Sequence, residues 1–375
     1  MRKVYLDNAA TTQLRPEVIT EMVKVLTEDY GNPSSTHTFG RQAKNVLELS
    51  RKSIAKNLNA DAREIIFTSG ATEANNWILR SAVTDLKVER IITSKIEHHA
   101  VLHAIEHLQK EFGIAVDFVK IKPTGEIDLG DLTALLNPQS RTLVSLMHVN
   151  NEIVTVLDVE AFARICKQSN AYFHCDTVQS VGKIKMDLQT LAVDFMVASA
   201  HKFHGPKGIG FAFVRKGLPI QPLIHGGEQE KGLRAGTESI HNIVGMAKAL
   251  EISLANLEQE REYILGLRDY AIEKFEEKFP GVKINGSHVN GFYNLLNVCL
   301  PMPEEKAIMI LFNLDMKGIA VSRGSACQSG SAKASHVLAE MLVGDDLKKP
   351  SLRVSFSHYN DTEEIDYLVD ALLSI

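Results

Sequence analysis

Short apolar runs alternate with longer stretches of helical period through the middle of the chain, and that alternation sets the architecture. Between about residues 60 and 215 the β-rich runs are Glu64-Ile-Ile-Phe67, Arg90-Ile-Ile-Thr93, Ala115-Val-Asp-Phe-Val119, Thr142-Leu-Val-Ser-Leu146, Ala171-Tyr-Phe-His174, Phe195-Met-Val-Ala198 and Gly210-Phe-Ala-Phe-Val214. Strands spaced by helical patterns predict an α/β layer with a largely parallel sheet. From Ile243 to Phe279 apolar residues such as Ile252, Leu254, Leu257, Leu265, Leu267, Ala271 and Phe275 recur at helical spacing between charged ones. This predicts long helical structure leaving that layer. Beyond Pro280 the strand-like pieces Asn297-Val-Cys-Leu300 and Leu352-Arg-Val-Ser-Phe356 predict a smaller α+β domain.

Length and charge narrow the function. At 375 residues, 45% of them hydrophobic, the chain suits two domains with real cores. A formal net charge of −5 with scattered charges argues against nucleic-acid and membrane-surface partners and for small-molecule chemistry. The first residues lack the apolar segment of a secretion signal, and no apolar run approaches a membrane span, so a cytoplasmic protein is expected. Cys166, Cys175, Cys299 and Cys327 form no C-x-x-C pair and are too sparse for a disulfide framework. Reduced thiols are expected, and no metal.

Ligands of parallel sheets bind outside the carboxyl ends of the strands, and three polar groupings fall there. Lys202, in Ser199-Ala-His-Lys202-Phe-His-Gly205-Pro206, follows the run Val193 to Ala198; Asp176 ends the run Ala171 to Cys175, with Gln179 just beyond. A lysine amine that condenses with an aldehyde and a carboxylate that keeps a pyridine nitrogen protonated are the two groups pyridoxal phosphate needs. Thr68-Ser-Gly70-Ala-Thr72 lies between a strand and an apolar helix, where free N–H groups and the helix dipole favour a phosphate. We assign Ala71 and Thr72 to that phosphate, with Ser199 and His201 as further donors. Alone this turn reads as an ordinary helix cap; its context decides for the phosphate.

Other candidates each carry a plainer reading. Asp176 also suits a helix N-cap, with Thr177 to Val181 starting the helix. In Thr93-Ser-Lys-Ile-Glu-His98-His99 either histidine suits stacking on the pyridine and proton shuttling, and the residues alone leave both open. Arg353 in Ser351-Leu-Arg-Val-Ser355 suits an amino-acid carboxylate or a solvated strand face, with Leu352 and Val354 on the opposite face. Cys327 lies among Gly324, Ser325, Ser329, Gly330 and Ser331, a setting for a nucleophilic thiol rather than a buried filler. Cys166, Cys175 and Cys299 sit in apolar patterns and read as core.

Taken together, Asp7-Asn-Ala-Ala-Thr-Thr12, Gly31-Asn-Pro-Ser-Ser35-Thr-His37, Thr68-Ser-Gly-Ala-Thr-Glu-Ala-Asn75, His148-Val-Asn-Asn151-Glu, His174-Cys-Asp176-Thr-Val-Gln179, Ser199-Ala-His-Lys202 and Gly324-Ser-Ala-Cys327 resemble, in order, the motifs of the cysteine desulfurases. These are class-V, fold-type-I pyridoxal phosphate enzymes. The resemblance implies an α/β fold: a large domain, 13–257, with a mostly parallel seven-stranded sheet flanked by helices, and a smaller α+β domain from 1–12 and 258–375. It implies that Lys202 bonds the cofactor aldehyde, Asp176 pairs with the ring nitrogen, Gln179 donates to the ring hydroxyl and His98, rather than His99, stacks on the ring. Thr72, Ser199 and His201 match phosphate ligands, and Thr237 matches one lent across a homodimer interface. Asn151 and Arg353 match the residues that hold the carboxylate of L-cysteine, and Cys327 the sulfur acceptor.

The implied reaction converts L-cysteine to L-alanine, with the sulfur carried as a Cys327 persulfide to an acceptor protein such as a cluster scaffold or a thiolation enzyme. The alternatives are an aminotransferase, β-lyase or selenocysteine lyase that does not need Cys327, and a non-catalytic pyridoxal phosphate-binding regulator. Three departures stand out: Val154 and Glu228 occupy positions where the family usually has Gly, and Arg323 one where it usually has Ser. A valine in place of glycine predicts a changed backbone beside Asn151.

Overall fold

The structure, a computed structural model, describes residues 2–287, 291–324 and 335–375. β1 (Val4–Tyr5), α1 (Pro16–Glu28) and α2 (Thr38–Asn57) come first, followed by β2 (Ile65–Thr68), α3 (Ala71–Thr84), β3 (Arg90–Thr93), α4 (His99–Phe112), β4 (Ala115–Phe118), α5 (Leu129–Leu135), β5 (Thr142–Met147), α6 (Val159–Gln168), β6 (Tyr172–Asp176), β7 (Phe195–Ser199) and β8 (Gly210–Val214). The chain continues through α7 (Ile240–Ala255), α8 (Leu257–Lys278), β9 (Lys283–Ile284), β10 (Leu295–Cys299), α9 (Glu304–Met316), β11 (Ile319–Ala320), α10 (His336–Ala339), β12 (Ser351–Ser355) and α11 (Thr362–Leu373).

All seven strands expected between residues 60 and 215 form one sheet, in the order β2-β8-β7-β6-β5-β3-β4. Only β8 runs against its neighbours. The carboxyl ends of the other six therefore share one edge. Strands β5, β7 and β8 are buried at every position, as a sheet covered on both faces requires. Alternation sorts the side chains of β7: Met196 and Ala198 join the core under α2, α6 and α7, while Phe195 and Val197 join the core under α3 and α4. Phe211 and Phe213 are fully buried in the first of these, where truncation of either to Ala costs roughly 3–5 kcal/mol.

Local signals place the helix ends. Asp158 caps α6 by accepting from the Ala161 N–H, Asp361 and Glu364 form a reciprocal cap on α11, and Gly113 closes α4 at φ +67. The expected helical stretch from Ile243 to Phe279 is two helices, because Asn256 at φ −100, ψ 9 breaks the axis between α7 and α8. The helix expected from Thr177 is a turn instead. Asp176 Oδ1 accepts from the Val178 N–H, and this local bond competes with a helical path.

The chain ends meet in a second core. The antiparallel sheet β12-β10-β9 and the parallel pair β1–β11 pack with α8, α9 and α11 through Phe275, Leu296, Val298, Ile310, Leu352, Val354 and Leu368. Val149 and Val154, from the turn after β5, join this core and so bring that turn beside β12. Among the described residues no helix is long and apolar enough to cross a membrane.

Candidate active site

A cavity of about 430 Å³ opens at the carboxyl edge of the large sheet. Its wall includes Ala71, Thr72, His98, Asn151, Asp176, Gln179, Ser199, His201, Lys202 and Arg353, ten residues singled out from the sequence. Thr237 does not line it; it is exposed on the loop before α7. Cys327 lies outside the described residues.

The strand ends shape the first wall. β2 stops at Thr68, Gly70 takes φ +156 at ψ 178, and α3 begins at Ala71 with no side chain capping it. That backbone region is essentially reserved for glycine, and Ala71 and Thr72 of the uncapped first turn, whose N–H groups have no partner within the helix, line the cavity. A β-carbon on Gly70 would lie 3.4 Å from Ser199 Oγ, so the hydroxyl at the end of β7 faces the same turn. Asp176, at the end of β6, is 6% exposed; Asn75 Nδ2 donates to its Oδ2 at 2.9 Å. No described ion pair includes this carboxylate.

Lys202 sits on the turn after β7, its Nζ donating to the carbonyls of Ala9 (2.7 Å) and Ala10 (2.8 Å). The N-terminal segment is thus part of the site. Thr12 bonds the His201 carbonyl from its N–H and its hydroxyl, and Gln179 Nε2 donates to Ala9 O at 3.0 Å. His98 caps α4: its Nδ1 accepts from the Ala100 N–H, so the neutral ring carries its proton on Nε2. Burial holds this imidazole below its ordinary value, and burial followed by the Lys202 charge lowers His201 to about 4. Of the two adjacent histidines only His98 lines the cavity. His99 stacks instead between His103 and His336, with ring centroids 4.8 and 4.4 Å away.

The second wall is Arg353 and Asn151, backed by Asp7. Alternation along β12 holds, with Leu352 and Val354 in the second core, but Arg353 is 1% exposed rather than solvated. Its Nη2 pairs with Asp7 Oδ1 at 2.9 Å, its Nη1 donates to Asn151 O at 3.0 Å, and its Nε is buried without a partner. A guanidinium held this way offers charge to an anion in the cavity. Val154, three residues beyond Asn151, keeps a glycine-like φ of +60 while 2% exposed. A β-branched residue rarely adopts this left-handed backbone, so the turn beside Asn151 holds Val154 under strain. Glu228, by contrast, has an ordinary φ of −83, and Arg323 Nη1 donates to Ala307 O at 2.9 Å.

These groups fit pyridoxal phosphate. The uncapped turn with Ser199 and His201 suits its phosphate, and Asp176 is a buried carboxylate beside which a pyridinium would supply the missing cation. His98 offers a ring face and Lys202 an amine. Three contributors were not read from the sequence: Asn75 beside Asp176, Asp7 beside Arg353, and Lys183 behind Gln179. Asp7 stood in a quoted motif, but its pairing with a residue near the other chain end leaves no trace in either local pattern.

Comparison with known proteins agrees with this geometry. Residues 4–368 match the model of the family described as aminotransferase class-V. The chain is 43% identical over 373 residues to a protein of Dictyoglomus turgidum named cysteine desulfurase IscS, covering 99% of this chain and 94% of that relative. A solved structure described as a NifS-like protein superimposes with a TM-score of 0.91 at 38% identity, covering 100% of this chain and 99% of the other. Another, described as SspA in complex with cysteine, gives 0.82 at 31% identity over 96% of this chain and all of its own. The chain belongs to the class-V aminotransferase family. Within that family it groups, over its whole length, with the cysteine desulfurases.

Proposed function

We propose that the protein is a cysteine desulfurase that converts L-cysteine to L-alanine and passes the sulfur to Cys327 as a persulfide. The observation that carries this reading is one cavity bringing together an amine (Lys202), a buried carboxylate (Asp176) and a buried guanidinium (Arg353) at amino-acid scale. Pyridoxal phosphate, when bound, supplies the electron sink for the pair left at Cα. Arg353 and Asn151 hold the substrate carboxylate, which orients Cα toward Lys202. Lys202 Nζ removes and holds the Cα proton, from where it can be returned to the carbon skeleton once the Cβ–S bond has broken, and His98 carries the proton of the substrate thiol. The Cys327 thiolate attacks the substrate sulfur: an S–S bond forms, the Cβ–S bond breaks, and the carbon skeleton takes up protons and leaves as alanine.

The other thiols support this assignment of Cys327. Burial pushes Cys166 up to about 12 and raises Cys175 and Cys299, so all three are poor nucleophiles at neutral pH. Free, buried cysteines also suit a reducing cytoplasm. The resemblance to the cysteine desulfurases supports an acceptor in iron–sulfur cluster assembly or tRNA thiolation. We read the chain as a homodimer in which Thr237 reaches the partner's phosphate site. Its exposure away from its own cavity supports this, as does the apolar stripe Ile19, Val23 and Leu26 on α1, about half exposed, beside the stacked Tyr30 and Phe39. The separate cores support a division into 13–257 and 1–12 with 258–375.

The test is turnover of L-cysteine by the purified protein with a thiol reductant, beside Cys327→Ser. Equimolar alanine and sulfide, lost in the variant, uphold the reading. Turnover that survives Cys327→Ser points to a β-lyase or aminotransferase, and cofactor absorbance with no turnover to a regulator.

A further inference from the structure

Lys183 places a buried amine behind the site that no step above uses. It is 8% exposed, and its carbonyl accepts from the Tyr293 hydroxyl at 3.3 Å, which ties this turn to the second core. Its Nζ faces Gln179 Oε1 at 3.5 Å. On the other side of the same amide, Gln179 Nε2 donates at 3.0 Å to Ala9 O, the carbonyl that also accepts from Lys202 Nζ at 2.7 Å. One line of contacts therefore runs from Lys183 through Gln179 and Ala9 to Lys202.

This line selects one orientation of the Gln179 amide. An ammonium has three donors and no acceptor, and a carbonyl oxygen only accepts. With Oε1 toward Lys183 and Nε2 toward Ala9, both contacts are favourable, and the second N–H of the amide remains for the cavity that Gln179 lines. The flipped amide would set NH₂ against the ammonium and oxygen against oxygen, two repulsive contacts in a buried place. Ala9 alone is a weak selector because Lys202 already occupies its carbonyl.

Electrostatics are consistent with the proximity. Burial, and then the Lys202 charge, lower the Lys183 ammonium to about 7, so the selection of the amide orientation is strongest below that pH. Lys183 in turn contributes to holding the His201 and His204 rings low. Glu260, which lines the same small pocket, is already paired with Arg15 at 2.7 Å and is not a dedicated counter-ion for this lysine.

We propose that Lys183 is a positioning residue that locks the Gln179 amide so that it presents its remaining N–H to an anionic or phenolic oxygen of the ligand in the cavity. The proposal rests on the pyridoxal phosphate reading of that cavity. Its test is a double-mutant cycle on cofactor affinity, read as visible absorbance while the full-length protein is titrated with pyridoxal phosphate, with unfolding midpoints measured alongside.

Lys183→Met, which replaces a buried charge by an apolar chain of similar length, weakens affinity by about tenfold, the scale of one charge-assisted hydrogen bond. The same change made on top of Gln179→Ala adds nothing, because the amide it positions is gone. Lys183→Gln, which keeps a donor for Oε1, stays near wild-type affinity. Full additivity of the two substitutions, or unchanged affinity in Lys183→Met, overturns the proposal and leaves Lys183 a structural residue. Should Lys183→Met not fold, Lys183→Leu takes its place in the same cycle: a loss that vanishes in the Gln179→Ala background upholds the role, and an additive loss or none overturns it. A wild-type protein that takes up no pyridoxal phosphate is a different failure, that of the cofactor reading itself.

Discussion

The two walls of the cavity are built by different means. The strand-end wall, with Gly70, Asp176, Ser199 and Lys202, comes from turns only a few residues beyond buried strands of one sheet, so its geometry follows from sheet register. The opposite wall joins Asp7, Asn151 and Arg353, which lie far apart in the chain, through a buried ion pair and a turn that forces a valine to φ +60. The first wall is a by-product of a stable sheet; the second exists only when both cores have closed on each other. Substitutions in the first should therefore remove chemistry and spare the fold, while those in the second should disturb substrate affinity and stability together.

The largest expected effect tests the first half of that contrast. Lys202→Ala lowers alanine formation by on the order of 10⁴-fold or more, because the proton carrier at Cα is lost, with the unfolding midpoint little changed. Arg353→Lys probes the second wall: one point charge cannot serve Asp7, Asn151 and a substrate carboxylate as a fork does. We expect kcat/KM to fall by roughly 10- to 100-fold, mostly through KM, and the midpoint to fall too. An Arg353→Lys enzyme with normal KM would remove the carboxylate from this wall.

Acid should act through buried histidines around the site. His148, His174, His201 and His358 are each held at about 4 and His204 at about 3, with burial the first cause in every case. Their unfolded value is about 6.5. As pH falls from 6.5 toward 4, the unfolded chain takes up protons that the native rings refuse, so their contribution is full above 6.5 and shrinks through that window. Glu97, raised to about 8 by burial, acts the other way: the native state keeps its proton, and stability from this group declines as pH rises from 4.5 to 8. The histidines, which His98 and His99 join, outweigh the raised carboxyls, and the unfolding midpoint should drop between pH 6.5 and 5; a rise would contradict the buried neutral histidines.

The smallest effect is an ordering. Val154→Gly relieves strain of about 1–3 kcal/mol and gives up burial worth about 1.5–3 kcal/mol, so its midpoint stays near wild type. Val154→Ala keeps most of the strain and loses packing, and should be the least stable of the three by calorimetry.

The same contrast explains what could be read from the chain. The inner strands were legible because a sheet covered on both faces leaves largely apolar runs, and the residues just past those runs fall at one edge by topology alone; the edge strand β4, with no buried position, showed only as a short β-rich run. The break at Asn256 was not legible, since apolar spacing continues across it. Nor was the burial of Arg353, whose partner Asp7 is 346 residues away, or the role of Lys183, whose burial depends on Tyr293 and the second core closing over it. Val154 was flagged by its departure from the family, but only the coordinates show its left-handed φ of +60. Cys327 falls outside the described residues, so its approach to the cavity rests on chemistry.

That chemistry can be tested without turnover. The most direct measurement is the intact mass of the protein after incubation with L-cysteine in the absence of reductant, with peptide mapping. The account predicts a species heavier by one sulfur atom, located on Cys327 and absent from Lys202→Ala and Cys327→Ser. Alanine formed while Cys327 stays an unmodified thiol would contradict it.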